Sequence, residues 1–163
     1  MQNNREDNLK KSNNSIALKI FTMALTLGLI SFAFIHSSMP ADISSIESES
    51  VASFLEKILR FFGFNAELTE LIVRKFAHFL EFSAIGVALV STAYSFDRKR
   101  PHTYYFQVLF FGLFSAVIDE AIQLNVAGRS GQITDVLLDF SGILTGSLLM
   151  LAIFAIYRKI RKI

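Results

Sequence analysis

The chain has 163 residues, of which 52% are hydrophobic and only 18% are charged, and its formal net charge is +2. Soluble domains carry roughly 25% charged residues, and a domain this small has much surface for its volume, so it should be more polar than average. The composition therefore counts against a soluble enzyme and a disordered chain and favours a membrane protein. The chain has no cysteine, which excludes disulfides, thiolate metal sites and thiol catalysis.

Four apolar stretches are long enough, or nearly so, to cross a bilayer, whose hydrocarbon core requires about 20 helical residues. Helix is the default structure, because backbone polar groups in hydrocarbon must be paired within their own segment. The sequence predicts an all-α membrane protein, a four-helix transmembrane bundle over residues 16–157. A cleaved signal peptide is the alternative for the first stretch, although its apolar run is longer than a usual signal core. The predicted spans are about residues 18–38, 74–96, 101–123 and 135–157.

Basic residues predict the orientation of the bundle. Residues 1–15 are expected to form a disordered N-terminal segment, and residues 158–163 a basic tail. Of the sixteen Lys and Arg residues, eleven lie on the side of the two termini and of the loop between the second and third spans. Because basic loops remain in the cytoplasm, both termini are predicted to be cytoplasmic. Every tyrosine lies at a predicted inner helix end, where an apolar ring with a hydroxyl favours the interface.

The first outer loop contains a second kind of helix. Apolar residues recur at helical spacing between Val51 and Phe62, after a polar and Ser-rich stretch over residues 42–50. We predict an amphipathic interfacial helix over about residues 50–62 that lies flat on the outer leaflet or caps the bundle. A short helix that packs on the spans without a lipid role remains an open alternative.

Ionisable residues within the spans are expensive in hydrocarbon, so each is a candidate functional residue. Adjacent spans are antiparallel, and the charges come first in the second and fourth spans and last in the third. They therefore all fall at the outer end of the bundle, while small residues in the inner halves permit close helix contact. The first span has no such stripe and is expected to be a packing or anchoring helix. The candidate catalytic residues are His78, Glu81, Asp119 and Glu120, and the candidate ligand-binding residues are Arg74, Lys75, Gln123, Arg129, Asp135 and Asp139.

The charge of this set constrains its chemistry. With a neutral His78, three cations and five carboxylates leave a net charge of −2, which a partly buried site must compensate. A structural ion-pair network, a proton-accepting or substrate site and a bound metal are all compatible with that requirement. We predict no metal and no cofactor, because the H-x-x-E spacing of His78 and Glu81 is common and the H-E-x-x-H pattern is missing.

The segment Gly-Arg-Ser-Gly-Gln at residues 128–132 leads into the fourth span. Its glycines free the backbone, and the helix N-terminus that follows could hold a phosphate head group. A tight outer turn with Thr134 as the helix cap is the simpler interpretation. The segment is no nucleotide loop, because the Gly-Lys-Ser/Thr ending is absent. The inner basic loops indicate orientation and anionic-lipid contacts, and no nucleic-acid partner is expected.

Four motifs occur in order along the chain. They are Ser-Ser-Met-Pro at residues 37–40, Arg-Lys-Phe-Ala-His-Phe-Leu-Glu-Phe at 74–82, Asp-Glu-Ala-Ile-Gln at 119–123, and Gly-Arg at 128–129 followed by Asp135, Asp139, Gly142 and Gly146. Over about residues 20–157 the chain resembles the VanZ-like family of bacterial membrane proteins, whose founder is linked to teicoplanin resistance. Two positions depart from the family pattern. Phe82 stands where tyrosine is frequent, which removes any role of a phenol there, and Ala127 replaces a proline. Asparagine is also common in relatives at the position of Asp139.

The resemblance implies a protein of the bacterial cell membrane with a role at the cell envelope, and glycopeptide resistance as one form of that role. It implies no particular reaction, so the question of enzyme activity stays open. The resemblance also marks the ten candidate residues above as the functional cluster, residue by residue.

Three functions are compatible with these features. The outward cluster can bind a lipid-linked or anionic envelope component, with Arg74 and Arg129 holding a phosphate. It can instead be the site of an intramembrane enzyme that acts on a lipid-linked substrate with His78 and Glu81 as the acid–base pair, or an ion-pair network in a structural scaffold. A proton pathway is disfavoured, because the inner halves of the spans contain no relay. The partner expected in every case is membrane lipid, and the oligomeric state stays open.

Overall fold

The computed structural model describes residues 2–63, 67–97 and 100–161, with side chains from residue 15 onward, and all regular structure in these ranges is helical. The predicted all-α class is thereby confirmed. The elements are α1 (Gln2–Ser37), α2 (Ala41–Phe61), α3 (Glu70–Phe96), a 3-10 turn (Pro101–Tyr104), α4 (Tyr105–Gln123) and α5 (Ile133–Arg161).

Four helices are long and apolar enough to cross a membrane, in agreement with the four predicted spans. Large apolar side chains cover the outside of these helices, and Phe106, for example, is 78% exposed. Small and polar side chains lie inside together with a few large apolar ones such as Phe82 and Ile143, and an apolar outside is expected when lipid rather than water surrounds a bundle. The candidate spans are Ser15–Ser37, Glu70–Phe96, Pro101–Gln123 and Ile133–Arg161.

Several helix ends differ from the sequence prediction. Helix α1 begins at Gln2, so the backbone is helical where a disordered terminus is expected. No glycine or proline interrupts the chain before Gly28. Once the apolar half of α1 is helical, adding further residues to the helix needs no new nucleation. Helix α3 begins at Glu70, where the Thr69 side chain accepts a hydrogen bond from Ile72 N. Helix α5 begins at Ile133, so Thr134 lies inside the helix and the prediction that it is the cap is wrong.

Helix α2 begins directly after Pro40, about two and a half turns earlier than the amphipathic pattern alone suggests. The predicted start of this helix at about residue 50 is wrong, because the polar residues 42–50 already form its first half. Their serines belong to the packed face: Ser44 and Ser48 are buried together with Ala52. The apolar face, which includes Phe54, remains exposed. The helix therefore exists, and its position on the outer leaflet stays a prediction.

Helix α3 is central and contacts α1, α2, α4 and α5. Its contact with α5 is the closest, because small residues there let the two backbones meet. A Cβ atom added at Gly86 would lie 2.5 Å from the carbonyl oxygen of Ile143, and one added at Gly146 would collide with the carbonyl oxygen of Ser83. The small inner residues thus serve the predicted purpose and set the position of α5 against α3.

Hydroxyl pairs connect α1 with α3 in the other half of the bundle. Thr22 Oγ1 donates to Ser95 Oγ at 3.2 Å, and the hydroxyl oxygens of Thr26 and Thr92 are 3.0 Å apart. Both threonines of α1 are buried. These pairs supply polar contacts between helices without charge, as is usual for hydroxyl side chains in membrane bundles.

Replacement of Gly146 tests the α3–α5 contact. We expect Gly146→Ala to lower the free energy of unfolding by about 1–3 kcal/mol, because the added methyl group forces the two backbones apart. Gly28→Ala is the matched control within another span, because nothing lies within 4 Å of its added Cβ and alanine is the better helix former. Thermal unfolding of the purified variants in detergent measures both. An equal effect of the two substitutions would contradict the close contact.

Candidate functional site

Polar side chains from four helices meet at one end of the bundle, which we call the cavity end. Helices α1 and α4 end there and α3 and α5 begin there, so antiparallel packing brings Ser37, His78, Asp119 and Asp139 to a common depth. The prediction that the charged ends of three spans meet agrees with this arrangement. The structure adds the end of α1 to the meeting point.

The most deeply buried groups are His78, Asp119 and Asp139, which we call the buried triad. Their exposed fractions are 8%, 0% and 1%. His78 Nδ1 lies 3.9 Å from Asp119 Oδ2 and 3.8 Å from Asp139 Oδ1. These separations exceed hydrogen-bond length, so the triad is brought together without direct hydrogen bonds between its members.

Asp119 is held in place by two neutral donors. Ser37 Oγ donates to Asp119 Oδ2 at 2.7 Å, and Gln123 Nε2 donates to the same oxygen at 3.0 Å. Its other oxygen, Oδ1, is buried without a hydrogen-bond partner among the described residues, as is Asp139 Oδ2. One oxygen of each carboxylate is thus left available.

Glu120 is a candidate catalytic residue that the structure connects to the loop before α5. Its Oε2 accepts a hydrogen bond from Gln132 N at 2.9 Å, and its Oε1 accepts one from Gln123 Nε2 at 3.3 Å. The loop lies so close to α4 that a Cβ atom added at Gly131 would be 2.9 Å from the carbonyl oxygen of Glu120. Glu120 therefore positions the loop on the end of α4.

A cavity of about 210 Å³ opens at this end of the bundle. Eight of the ten candidate residues line it, while Glu81 and Asp119 do not. Lys75 and Asp135 form an ion pair in the cavity wall, with Lys75 Nζ 2.5 Å from Asp135 Oδ1. The ammonium group of Lys75 is therefore already paired. The eight candidate residues in the lining are Arg74, Lys75, His78, Glu120, Gln123, Arg129, Asp135 and Asp139.

Arg129 differs from Lys75, because its donors are unsatisfied. Gly128 has a positive φ of 75°, a conformation natural to glycine, and the next residue lines the cavity. The Nε and Nη2 atoms of Arg129 are buried without a hydrogen-bond partner among the described residues. Burial lowers the pKa of Arg129 from its ordinary value, and the charge of Arg74 acts in the same direction. An arginine in this environment is a strong donor that lacks an acceptor.

Glu81 has a different partner from the one that the H-x-x-E spacing suggests. His36 Nδ1 lies 3.0 Å from Glu81 Oε1, and His36 Nε2 lies 3.6 Å from Glu47 Oε2 on α2. The His36 ring also stacks on His78, with the ring centroids 6.2 Å apart. In the described part of the chain the carboxylates within 4 Å of His78 are those of Asp119 and Asp139. The role of His78 and Glu81 as an acid–base pair stays a prediction.

The ten candidate residues do not include His36 and Ser37, although Ser37 belongs to the Ser-Ser-Met-Pro motif. The first span is expected to be a packing or anchoring helix, and in the structure its end also contributes polar contacts to the site. The signal is present in the chain: His36 and Ser37 end a span that runs toward the cavity end, at the depth where the third span carries Asp119. The search for charged side chains in the spans passes over a neutral histidine and a serine. The depth argument that applies to the three charged spans nevertheless applies to them as well.

Ser37→Ala tests the support of the buried carboxylate. Loss of the hydroxyl donor leaves Asp119 Oδ2 with Gln123 alone, so we expect the free energy of unfolding to fall by about 1–3 kcal/mol. Ser38→Ala is the control, because the exposed Ser38 hydroxyl donates only to the Phe34 carbonyl of its own helix. Unfolding of both variants in detergent gives the comparison. If Ser38→Ala is as destabilising as Ser37→Ala, Ser37 has no special role.

Comparison with known proteins agrees with the resemblance seen in the motifs. No curated protein and no solved structure matches the chain. The model of the VanZ/LLP1 family matches residues 21–155, which include every candidate site residue, all of α2 to α4, the second half of α1 and most of α5. With its four apolar helices, the chain is a multi-pass membrane protein that belongs to the VanZ/LLP1 family.

Proposed function

We propose that the cavity binds the phosphate of an anionic or lipid-linked envelope component. The single observation that carries this proposal is Arg129, whose buried Nε and Nη2 donors have no partner among the described residues. An unpaired buried donor is costly, and a guanidinium presents its N–H groups in a planar fork that matches phosphate oxygens. A phosphate in the cavity satisfies these donors.

The cavity wall favours an anion over a neutral ligand. Arg74 lines the cavity with Arg129, and the pKa of Arg129 is lowered in part by the charge of Arg74. Two guanidinium groups that repel each other are both stabilised by a shared anion. Lys75 contributes less, because Asp135 already neutralises it.

The size of the cavity favours a head group as the ligand. Its volume is about 210 Å³, whereas pockets that hold drug-sized ligands measure about 300–1,000 Å³. A phosphate with a small part of its head group fits in that space. The acyl or prenyl chain remains in the bilayer, against the exposed apolar faces of the spans.

The orientation that fits this function has the cavity end outside the cell and both termini in the cytoplasm of a bacterium. The distribution of basic residues supports this orientation. Lipid-linked envelope precursors become available at the outer leaflet, so a protein that binds them there can alter the response to a glycopeptide such as teicoplanin. We propose that any resistance role follows from this binding.

An intramembrane enzyme is the second candidate function, favoured by the position of His78. His78 and Asp139 both line the cavity, so a general base can face the head group of a bound lipid. Glu81 lies outside the cavity lining and pairs with His36 instead. Turnover of a polyprenyl or phospholipid substrate by the purified protein, lost in His78→Gln, would favour the enzyme over a binding protein.

Arg129→Gln tests the binding proposal. The purified protein is titrated in a zwitterionic detergent with a short-chain phosphatidic acid, and in parallel with inorganic phosphate. We expect the substitution to weaken binding of the phosphatidic acid about 10- to 100-fold, because charge-assisted hydrogen bonds contribute about 1.5–3 kcal/mol. Binding of inorganic phosphate alone would identify free phosphate as the ligand.

Arg60→Gln is the matched control, because Arg60 is an exposed arginine of α2 whose Nη2 lies 3.6 Å from Glu56 Oε2. It removes the same charge without touching the cavity and should leave the affinity unchanged. If the two substitutions weaken binding equally, the effect is general electrostatics. If neither weakens it, the cavity has a structural role and the proposed function is wrong.

A further inference from the structure

We propose that His78, Asp119 and Asp139 bind a divalent transition-metal ion beside the cavity. The site goes beyond the proposed function, since its ligands are the buried triad rather than the arginines of the cavity wall. Each of the three residues offers one ligand atom, and these atoms all lie within 4.8 Å of one another. Three helices, α3, α4 and α5, contribute one ligand each.

The separations in the buried triad fit a shared ion better than they fit hydrogen bonds. His78 Nδ1 lies 3.9 Å from Asp119 Oδ2 and 3.8 Å from Asp139 Oδ1, and the other oxygen of each carboxylate is the unpaired one. A hydrogen bond between such atoms is about 2.7–3.2 Å long. Two ligands of one ion, each about 2.0–2.2 Å from it, lie on the order of 3–4 Å apart. The observed distances belong to the second range.

The unsatisfied atoms of the triad are a second and independent observation. His78 Nδ1, Asp119 Oδ1 and Asp139 Oδ2 are buried, and each lacks a hydrogen-bond partner among the described residues. All three side chains are more than nine-tenths buried. Buried polar atoms almost always have a partner, and the atoms left without one here are of the kinds that bind metal ions.

Charge leads to the same conclusion. With a neutral histidine the triad carries two carboxylates, and buried carboxylates are neutralised by a proton, by an ion pair or by a metal ion. The nearby ammonium group of Lys75 is taken by Asp135, and Arg129 has no contact with either carboxylate within ion-pair distance in the described part of the chain. A divalent cation supplies the two missing positive charges.

The donor set indicates which ions bind. One imidazole nitrogen with two carboxylates suits Zn²⁺, Mn²⁺ or Fe²⁺, whereas Ca²⁺ prefers oxygen ligands throughout. Ser37 and Gln123 hold Asp119 through the oxygen that accepts both of their hydrogen bonds. Such outer contacts orient metal ligands in proteins. Three protein ligands leave a coordination position open, as in catalytic zinc sites.

The open position gives the ion a role that rests on the proposed function. His78 and Asp139 line the cavity together with Arg129, so a bound ion faces the same space as the unpaired guanidinium. A cation and an arginine on one side of a cavity both attract phosphate oxygens. The ligand of the cavity is then a phosphate held by Arg129 and the metal together.

The test uses the full chain, purified with its affinity tag removed, stripped with a chelator and dialysed against Zn²⁺ or Mn²⁺. Bound metal is measured by mass spectrometry after desalting. We expect about one ion per chain and a higher unfolding temperature with metal. Asp139→Asn and His78→Gln should each weaken metal binding at least tenfold. Asp42→Asn, an exposed carboxylate of α2, is the control and should bind as the wild type does.

Absence of stoichiometric metal in the folded wild-type protein overturns the inference, and so does unchanged binding by Asp139→Asn. X-ray absorption of the metal-loaded wild type provides a test that needs no variant. It should show one imidazole nitrogen and carboxylate oxygens at about 2.0–2.2 Å, and a spectrum without imidazole would contradict the site.

The metal site and the phosphate site can fail separately. Arg129→Gln should bind metal normally. If it does so and still binds the phosphatidic acid with wild-type affinity, the proposed function is wrong while the metal site stands. If lipid binding depends on Arg129 and the folded chain holds no metal, the proposed function stands and this inference is wrong.

Discussion

The cost of burying carboxylates in an apolar bundle determines the arrangement of the cavity end. Asp119 and Asp139 are almost completely excluded from solvent, and in such surroundings an uncompensated charge costs several kcal/mol of folding free energy. Ser37 and Gln123 stabilise one oxygen of Asp119, while Asp139 Oδ2 remains without a partner among the described residues. The proposed metal ion would compensate the remaining charge beside the proposed anion site.

Close helix packing brings these groups together. Gly86 and Gly146 allow the backbones of α3 and α5 to meet, and this contact places His78 beside Asp139 near the first turns of the two helices. Larger residues would separate the helices and with them the imidazole and the carboxylate. A helix contact deep in the span thus controls a distance at the cavity end, so stability and binding are expected to depend on the same glycines.

The position of the site could be predicted from the sequence, and its pairings could not. Antiparallel spans bring charged residues to one depth whatever the details of packing, so eight of the ten candidate residues line one cavity. Which side chain meets which depends on helix rotation and on contacts between distant helices. Glu81 therefore pairs with His36 rather than His78, and the serines of the polar stretch before residue 50 form a packed face of α2. The spacing of residues along a single helix predicts neither the Glu81–His36 pair nor the packing of these serines.

Site-directed labelling tests the central claim that the polar helix ends meet in one cavity on the outer side. The chain has no native cysteine, so Leu71→Cys and Ser130→Cys in the cavity lining and His102→Cys in the exposed 3-10 turn can each be labelled alone. A membrane-impermeant maleimide should label both lining positions in intact cells and His102→Cys only after permeabilisation. Labelling of Leu71→Cys and Ser130→Cys from opposite sides, or of His102→Cys in intact cells, would contradict the account.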